Sequence, residues 1–418
     1  MPSKNIELSV SKNTNSRKKL MLFDLSIYGH HPSYIQHFIE YWSKRTSSAS
    51  LDIVVSPKFL QVHCDVVEIA KKYSSDINFI AITTAEEADL KARNSGINRN
   101  IRAFQEWYLL CKYAAALQAS HCLVMYFDTC LLPLAVGIEP PCQFSGIYFR
   151  PTFHYPEFSN YSPAFKQRLQ QWREKFILKR VLRHTKLKNL FSLDPFAIKQ
   201  INSWKNQAKV VHLPDPVVLP AANLFVDNLK QSLKIDENRQ VFLLFGALTG
   251  RKGVYQLLDA IVLLPIETCE KICLLFVGES SDKDKAAIAS KIATARQSKP
   301  IQIIEHYQFV PEQDVQAYFQ LADVVLAPYQ RHVGMSGILL LAAAAQKPVL
   351  SSNYGLMGEI VQRYDLGITV DSAVPDEIAQ GLVRCLQSAN QLGDRHKMSL
   401  FASQNSAEKF ACTLLENL

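Results

Sequence analysis

The chain has 418 residues, of which 48% are hydrophobic and 20% charged, a globular balance at a length that suits two to three domains. No apolar run reaches the roughly 18 to 20 residues that cross a bilayer, which excludes a spanning helix. The net charge of +8 is concentrated: Lys166 to Lys188 holds nine Lys and Arg against one acid, Glu174, whereas a nucleic-acid binder shows wider basic coverage, so no nucleic-acid partner is expected.

Residues 1–17 are polar, lack the apolar segment of a signal peptide, and are expected to be a disordered leader on a cytoplasmic protein. Residues 19–29 then read as strand followed by turn. Residues 31–45 read as a helix with Ile35, Phe38, Ile39 and Trp42 on one face. Strands follow at 51–57, 121–128, 142–151 and 188–194, with a helix at 101–120 feeding the second of them. The Pro-containing stretch 208–217 closes the first half near residue 215. The second half repeats the pattern. Strands are expected at 240–248, 271–278, 323–329 and 347–352, with helices among them; the stretch 301–311 follows the second of these strands, and after 366–371 the tail is helical. Short apolar runs alternating with helical stretches predict an α/β protein of two Rossmann-like domains facing across a cleft. In such sheets ligands sit at the carboxyl ends of the strands.

The nine cysteines are scattered. Cys269 and Cys273, the closest pair, have no partner pair or His cluster, so neither a disulfide framework nor a metal site is expected and buried thiols are preferred. Asp282 and Asp284 imitate a metal-binding Asp-x-Asp pair, but they sit in a charged run that suits a solvated helix start.

Two loops of the second half have the chemistry of a phosphate cradle. In residues 245–260 a strand ends, a turn carrying Gly246 and Gly250 follows, and a helix begins near Gly253. Backbone N–H groups at such a turn favour an anion, and Arg251 and Lys252 supply positive charge. Further on, Gly334, Ser336 and Gly337 precede an uncharged helix for which Ser336 is the expected N-cap, and its first N–H groups form a second cradle. Solvated loops and a buried packing helix would read similarly. Their places in corresponding halves of one domain favour a shared ligand.

In the first half, Gly29, His30 and His31 follow the first strand. Adjacent histidines before Pro32 at a helix start suit an anion or a sugar hydroxyl, and a histidine there can shuttle a proton. Capping and packing roles fit equally well. Asp128, at a strand end, is the candidate for acceptor hydroxyls, with a helix-capping role as its alternative. Arg150 and His154 follow another strand and rank third.

Gly246-Ala247-Leu248-Thr249-Gly250-Arg251-Lys252-Gly253, then Val277-Gly278, then "YFQLADVVLAPY" and "AAAAQKPVL", resemble in order the donor domain of GT-B glycosyltransferases of the retaining group often called family 4. The resemblance covers nearly the whole second half and the tail. It implies a nucleotide-sugar donor bound through Gly246, Arg251, Lys252, Gly334, Ser336 and Gly337, a glycan, lipid or small acceptor held by the first domain, and retention at the anomeric carbon. It requires no cofactor and no metal, and Lys252 with His31 and Asp128 are the expected catalytic residues. The sequence departs from the family where Val333 and Leu341 replace two glutamates that contact donor sugar and ribose. Losing a charged contact costs roughly 1.5 to 3 kcal/mol. Arg331, His332, Ser336 and Glu359 are the nearby substitutes, and the family's sugar-contacting turn raises Tyr354, Gly355 and Glu359. A divergent branch that still transfers sugar, a non-catalytic binding protein on the same fold and a sugar-nucleotide epimerase are the three readings, with transfer preferred and cell-envelope polysaccharide synthesis as its candidate setting.

Phe165, Leu169, Trp172 and Phe176 recur at helical spacing among Lys and Arg, the pattern of a helix lying on a membrane surface. A fold helix packing these four inward is preferred, with peripheral membrane contact through 165–188 as the alternative. The expected organisation is a leader 1–17, an acceptor domain 18–215, a donor domain 216–395 and a tail 396–418 returning to the first domain.

Overall fold

The computed structural model describes residues 18–44, 49–73, 76–158, 160–219, 226–388 and 391–418; the expected leader lies outside them. The first sheet has seven strands, β1 (Lys19–Phe23), β2 (Ser50–Val55), β3 (Ile77–Ala81), β4 (His121–Val124), β5 (Gln143–Tyr148), β6 (Leu187–Ser192) and β7 (Lys209–His212), in the order β3-β2-β1-β4-β5-β6-β7. The second has six, β8 (Gln240–Phe245), β9 (Ile272–Val277), β10 (Gln302–His306), β11 (Val324–Ala327), β12 (Val349–Ser352) and β13 (Gly367–Val370), in the order β10-β9-β8-β11-β12-β13. Every strand pair with a described register is parallel, including β1 with β2 and β4, and β8 with β9 and β11. The α/β class and the doubly wound sheets are as the sequence predicts. β3, with its half-buried edge pattern, had no sequence counterpart, and β7, β10 and β13 form in stretches that the sequence reading left without a strand assignment.

The strands are apolar runs because parallel sheets are covered on both faces. In β9 all six residues are buried, Cys273 among them, and Cys269 is buried in the helix before it. The helix His31–Trp42 starts with Pro at its first turn and buries Ile35, Phe38, Ile39 and Trp42. Asp282 opens the helix Asp282–Ser298 as expected, and Asp284 accepts from the Tyr255 hydroxyl and from Ser281. All nine cysteines are free thiols.

The chain forms two compact units, one from residues up to Gly146 with Lys186–Lys188, the other from Ile147–Thr185 and Asn189–Leu418. In the second unit, Tyr155, Phe158 and Tyr161 share one core with Val241, Leu243, Leu339, Met357 and Phe401. Its closing helices, Arg395–Gln404 and Ala407–Glu416, are joined to Val217 by a bridge at Ser406. Beyond them Asn417 accepts from Asn189 of β6 and from Lys209 of β7.

One expectation is overturned. In the helix Phe165–Val181, the buried residues are Gln171, Leu178 and Val181. Phe165 is 84% exposed and Trp172 67%, and Leu169 and Phe176 are exposed with them. The sequence reading took the stripe at i, i+4, i+7 and i+11 for the inward face. Leu178 and Val181 form a second apolar arc on the opposite side, and that arc is the one that packs.

Candidate active site

Each sheet reverses its strand order once, and a crevice opens outside the carboxyl ends at such a point. In the second sheet the reversal falls between β8 and β11. The chain leaves β8 through Gly246, turns through Gly250–Lys252, and enters the helix Val254–Leu263 at Gly253. Gly253 has φ +80°, and a Cβ there would lie 2.0 Å from the Pro328 carbonyl oxygen. Only glycine lets the loop after β8 approach the loop after β11 so closely.

That approach places Lys252 against Tyr329. Lys252 is buried, and its ammonium donates to the Phe245 carbonyl at 3.1 Å and to the Tyr329 hydroxyl. The Nζ lies 4.4 Å from the Tyr329 ring centroid, and the Arg251 guanidinium sits over the same ring at 5.5 Å. Among the described residues no Asp or Glu pairs with Lys252. Burial, with the Arg251 charge adding to it, lowers the Lys252 pKa to about 7. Burial pushes the Tyr329 hydroxyl up to about 12, so it stays a neutral partner.

Ser336 stands at the N-cap of the helix Gly337–Ala344, but its hydroxyl does not cap the helix. It donates to the Tyr329 oxygen at 3.0 Å instead, which corrects the capping role read from the sequence. The Leu339 N–H bonds the Ser336 carbonyl at 3.0 Å, no side chain caps the start of that helix, and the side of Gly337 where a Cβ would stand is open. His332 Nε2 is 3.2 Å from the Met335 carbonyl, its ring meets Tyr329 edge-on at 5.4 Å, and burial lowers its pKa. Gly334 lies between His332 and the Arg150 side chain, and Gly355 against the His332 carbonyl. Arg251, Lys252, His332 and Ser336 thus meet at one tyrosine that the sequence reading missed, while Gly246 lies against Lys252, and Gly334 and Gly355 against His332. Glu359 is held by Arg363, one helical turn on. Val333 and Leu341, at the places of the family glutamates, pack against the apolar core.

Beside this cluster a polar cavity of about 440 Å³ opens at the ends of β12 and β13. Arg331, Ser352, Asn353, Tyr354, Asp371 and Ser372 line it, with Asn160, Ser162 and Gln167 opposite. Arg331 adopts φ +47°, and the Tyr354 ring packs on Tyr161 at 5.1 Å. Of these residues the sequence reading held only Arg331 and Tyr354. His154, a third-rank candidate, is buried 3.0 Å from Asp194, where it serves packing.

In the first sheet the reversal falls between β1 and β4. Gly29 adopts φ +70° in the turn after β1. His31 opens the following helix, and its Nδ1 lies 2.7 Å from the buried Asp24 carboxylate. The His30 ring stacks on His31 at 5.1 Å. Asp128, half-buried, lies in the short turn Phe127–Thr129 after β4. Asp24 was missed because a strand-end carboxylate gives no sign of which helix will return to it. The small pocket there, about 20 Å³, has room for roughly one water.

Over almost its full length the chain has the GT-B fold. It matches sucrose-phosphate synthase from Thermosynechococcus elongatus with TM-score 0.68 and 14% identity, over 96% of this chain and 98% of that one. It matches Anabaena HepE in complex with UDP and glucose with TM-score 0.63 and 11% identity, over 96% and 98%. A family model described as glycosyl transferases group 1 matches residues 225–416. A lipopolysaccharide 1,2-N-acetylglucosaminetransferase of Salmonella typhimurium is 29% identical over 196 residues, 44% of this chain and 50% of that protein. The chain spans half or less of the length of the curated relatives it matches.

Proposed function

We propose that the chain transfers a sugar from a nucleotide-sugar donor to a glycan, lipid or small acceptor, with retention at the anomeric carbon. The observation that carries the reading is Lys252, a buried ammonium at the β8/β11 reversal with no carboxylate partner among the described residues. A buried unpaired charge is costly, and a diphosphate is the counter-ion this position suits. Arg251 and the N–H groups at Gly337 add to the same field. Charge developing on the leaving diphosphate would be stabilised by groups already in place, so the proposal includes no metal step. The bond from the anomeric carbon to the diphosphate oxygen breaks, the acceptor oxygen bonds on the same face, and its proton passes to the departing diphosphate.

The donor sugar is assigned to the polar cavity beside Tyr354, whose amides, hydroxyls, carboxylate and arginine suit a polyhydroxylated ring. In the first unit, His31 oriented by Asp24 and the Asp128 carboxylate are assigned to the acceptor. The named ligands of the HepE structures, UDP and UDP-glucose, make UDP the first nucleotide to try, and the Salmonella relative makes an envelope glycan the first acceptor class.

The test is thermal unfolding of wild type and Lys252→Ala with UDP, GDP and ADP. Stabilisation by one nucleotide, absent in the variant, is the expected result. No stabilisation by any of them at saturating concentration refutes the proposal. Val333 and Leu341, packed against the core, favour a second reading, binding without transfer. It would give the same nucleotide shift with no release of UDP from UDP-sugars.

A further inference from the structure

The helix Phe165–Val181 has an outward face that the transfer proposal does not use. At about 100° per residue, Phe165, Leu169, Trp172 and Phe176 fall within an arc of about 60°, and all four are exposed. The Trp172 and Phe176 rings stack at 6.0 Å, nearly parallel, so the ridge is continuous. Lys166 and Arg173 flank one side of the arc and Arg168, Lys175 and Lys179 the other. The helix's one acid, Glu174, turns inward and accepts from the Thr152 hydroxyl at 2.6 Å. The outer face is therefore apolar along its middle and cationic along both edges.

We propose that this face docks on an anionic lipid surface. Aromatic and leucine side chains in a ridge suit the boundary between headgroups and acyl chains, and flanking lysines and arginines suit the anionic headgroups. Charge complementarity selects this occupant over a second copy of the chain, whose own cationic edges would meet these. The packing of Leu178 and Val181 on the opposite side holds the ridge outward without folding on contact. Docking would bring the fold to a lipid-linked acceptor, but the inference stands apart from the transfer reaction and is tested apart from it.

The experiment is co-sedimentation of the full chain with vesicles of phosphatidylcholine, alone or mixed with phosphatidylglycerol, with tryptophan emission read in parallel. The expected result is binding to the mixed vesicles that falls with added salt, with a blue shift that Trp172→Phe diminishes while keeping binding. Trp172→Ser with Phe176→Ser should abolish binding. Lys166→Glu with Arg173→Glu should weaken it by roughly 25-fold or more, at about fivefold per lost cation. All these side chains are exposed, so the unfolding midpoint should not move. Failure of the wild type to sediment with the mixed vesicles overturns the proposal, as does sedimentation unchanged in both double variants. Self-association that the Trp172→Ser variant abolishes would overturn it in favour of a second copy.

Discussion

Replacing Lys252 by methionine should make the free protein more stable and blind to nucleotide. Burial lowers this ammonium from 10.5 to about 7, a difference worth about 5 kcal/mol. The unfolded chain binds the proton more tightly, so the penalty is complete below pH 7. Between pH 7 and 10.5 the unfolded chain carries more protons than the folded one, and stability rises with pH. Methionine removes the penalty but loses two hydrogen bonds, to Phe245 and Tyr329, at about 1 kcal/mol each. The net gain is about 3 kcal/mol at pH 6 and about 1 to 2 kcal/mol at pH 8. Urea unfolding at the two pH values, with and without UDP, measures both effects. A variant less stable than wild type at both pH values, or one that keeps the UDP shift, would refute the reasoning.

Nucleotide binding near pH 8 should take up a proton, because a diphosphate raises the pKa of Lys252 from about 7; calorimetry in buffers of different ionisation enthalpy reads the uptake, and heats independent of buffer contradict it. Gly253→Ala forces a Cβ into the Pro328 carbonyl at φ +80° and should cost about 2 kcal/mol or more, seen as a lower urea midpoint together with lost nucleotide binding. Tyr329→Phe keeps the ring but removes the acceptor for Lys252 and Ser336, and should weaken nucleotide binding while costing about 1 to 2 kcal/mol of stability. His31→Ala strips the buried Asp24 carboxylate of its histidine and should cost about 2 to 3 kcal/mol; an unchanged midpoint would mean the pair is not needed for folding.

The fold was legible because parallel strands buried on both faces must be apolar runs, and β8, β9, β11 and β12 are written that way. The strand–turn–helix passage that carries Lys252 was legible from the glycines after the strand. Tyr329 was not, because its role depends on β11 lying next to β8, a fact of sheet order and not of local sequence. The ion pair of Glu359 with Arg363 could have been read from their four-residue spacing, which would have weakened Glu359 as a donor ligand. The helix Phe165–Val181 misled because it carries two apolar arcs, and periodicity alone does not say which one meets solvent. The cavity at β12 and β13 is built from residues scattered between Asn160 and Ala373, of which only Arg331 and Tyr354 stood near a motif.

The interior of the second unit is stitched from distant parts of the chain: Tyr155, Phe158 and Tyr161 lie in one core with residues from Val217 to Ala402. A fragment beginning at residue 216 would carry every residue that the glycosyl transferases group 1 model matches and still lack three aromatic side chains from its own core. Those missing rings would leave an apolar hollow, so such a fragment should be loosely packed and prone to stick to itself. The second unit can reach its native packing during synthesis only after residue 402 has joined a segment made some 240 residues earlier, a separation that favours slow folding.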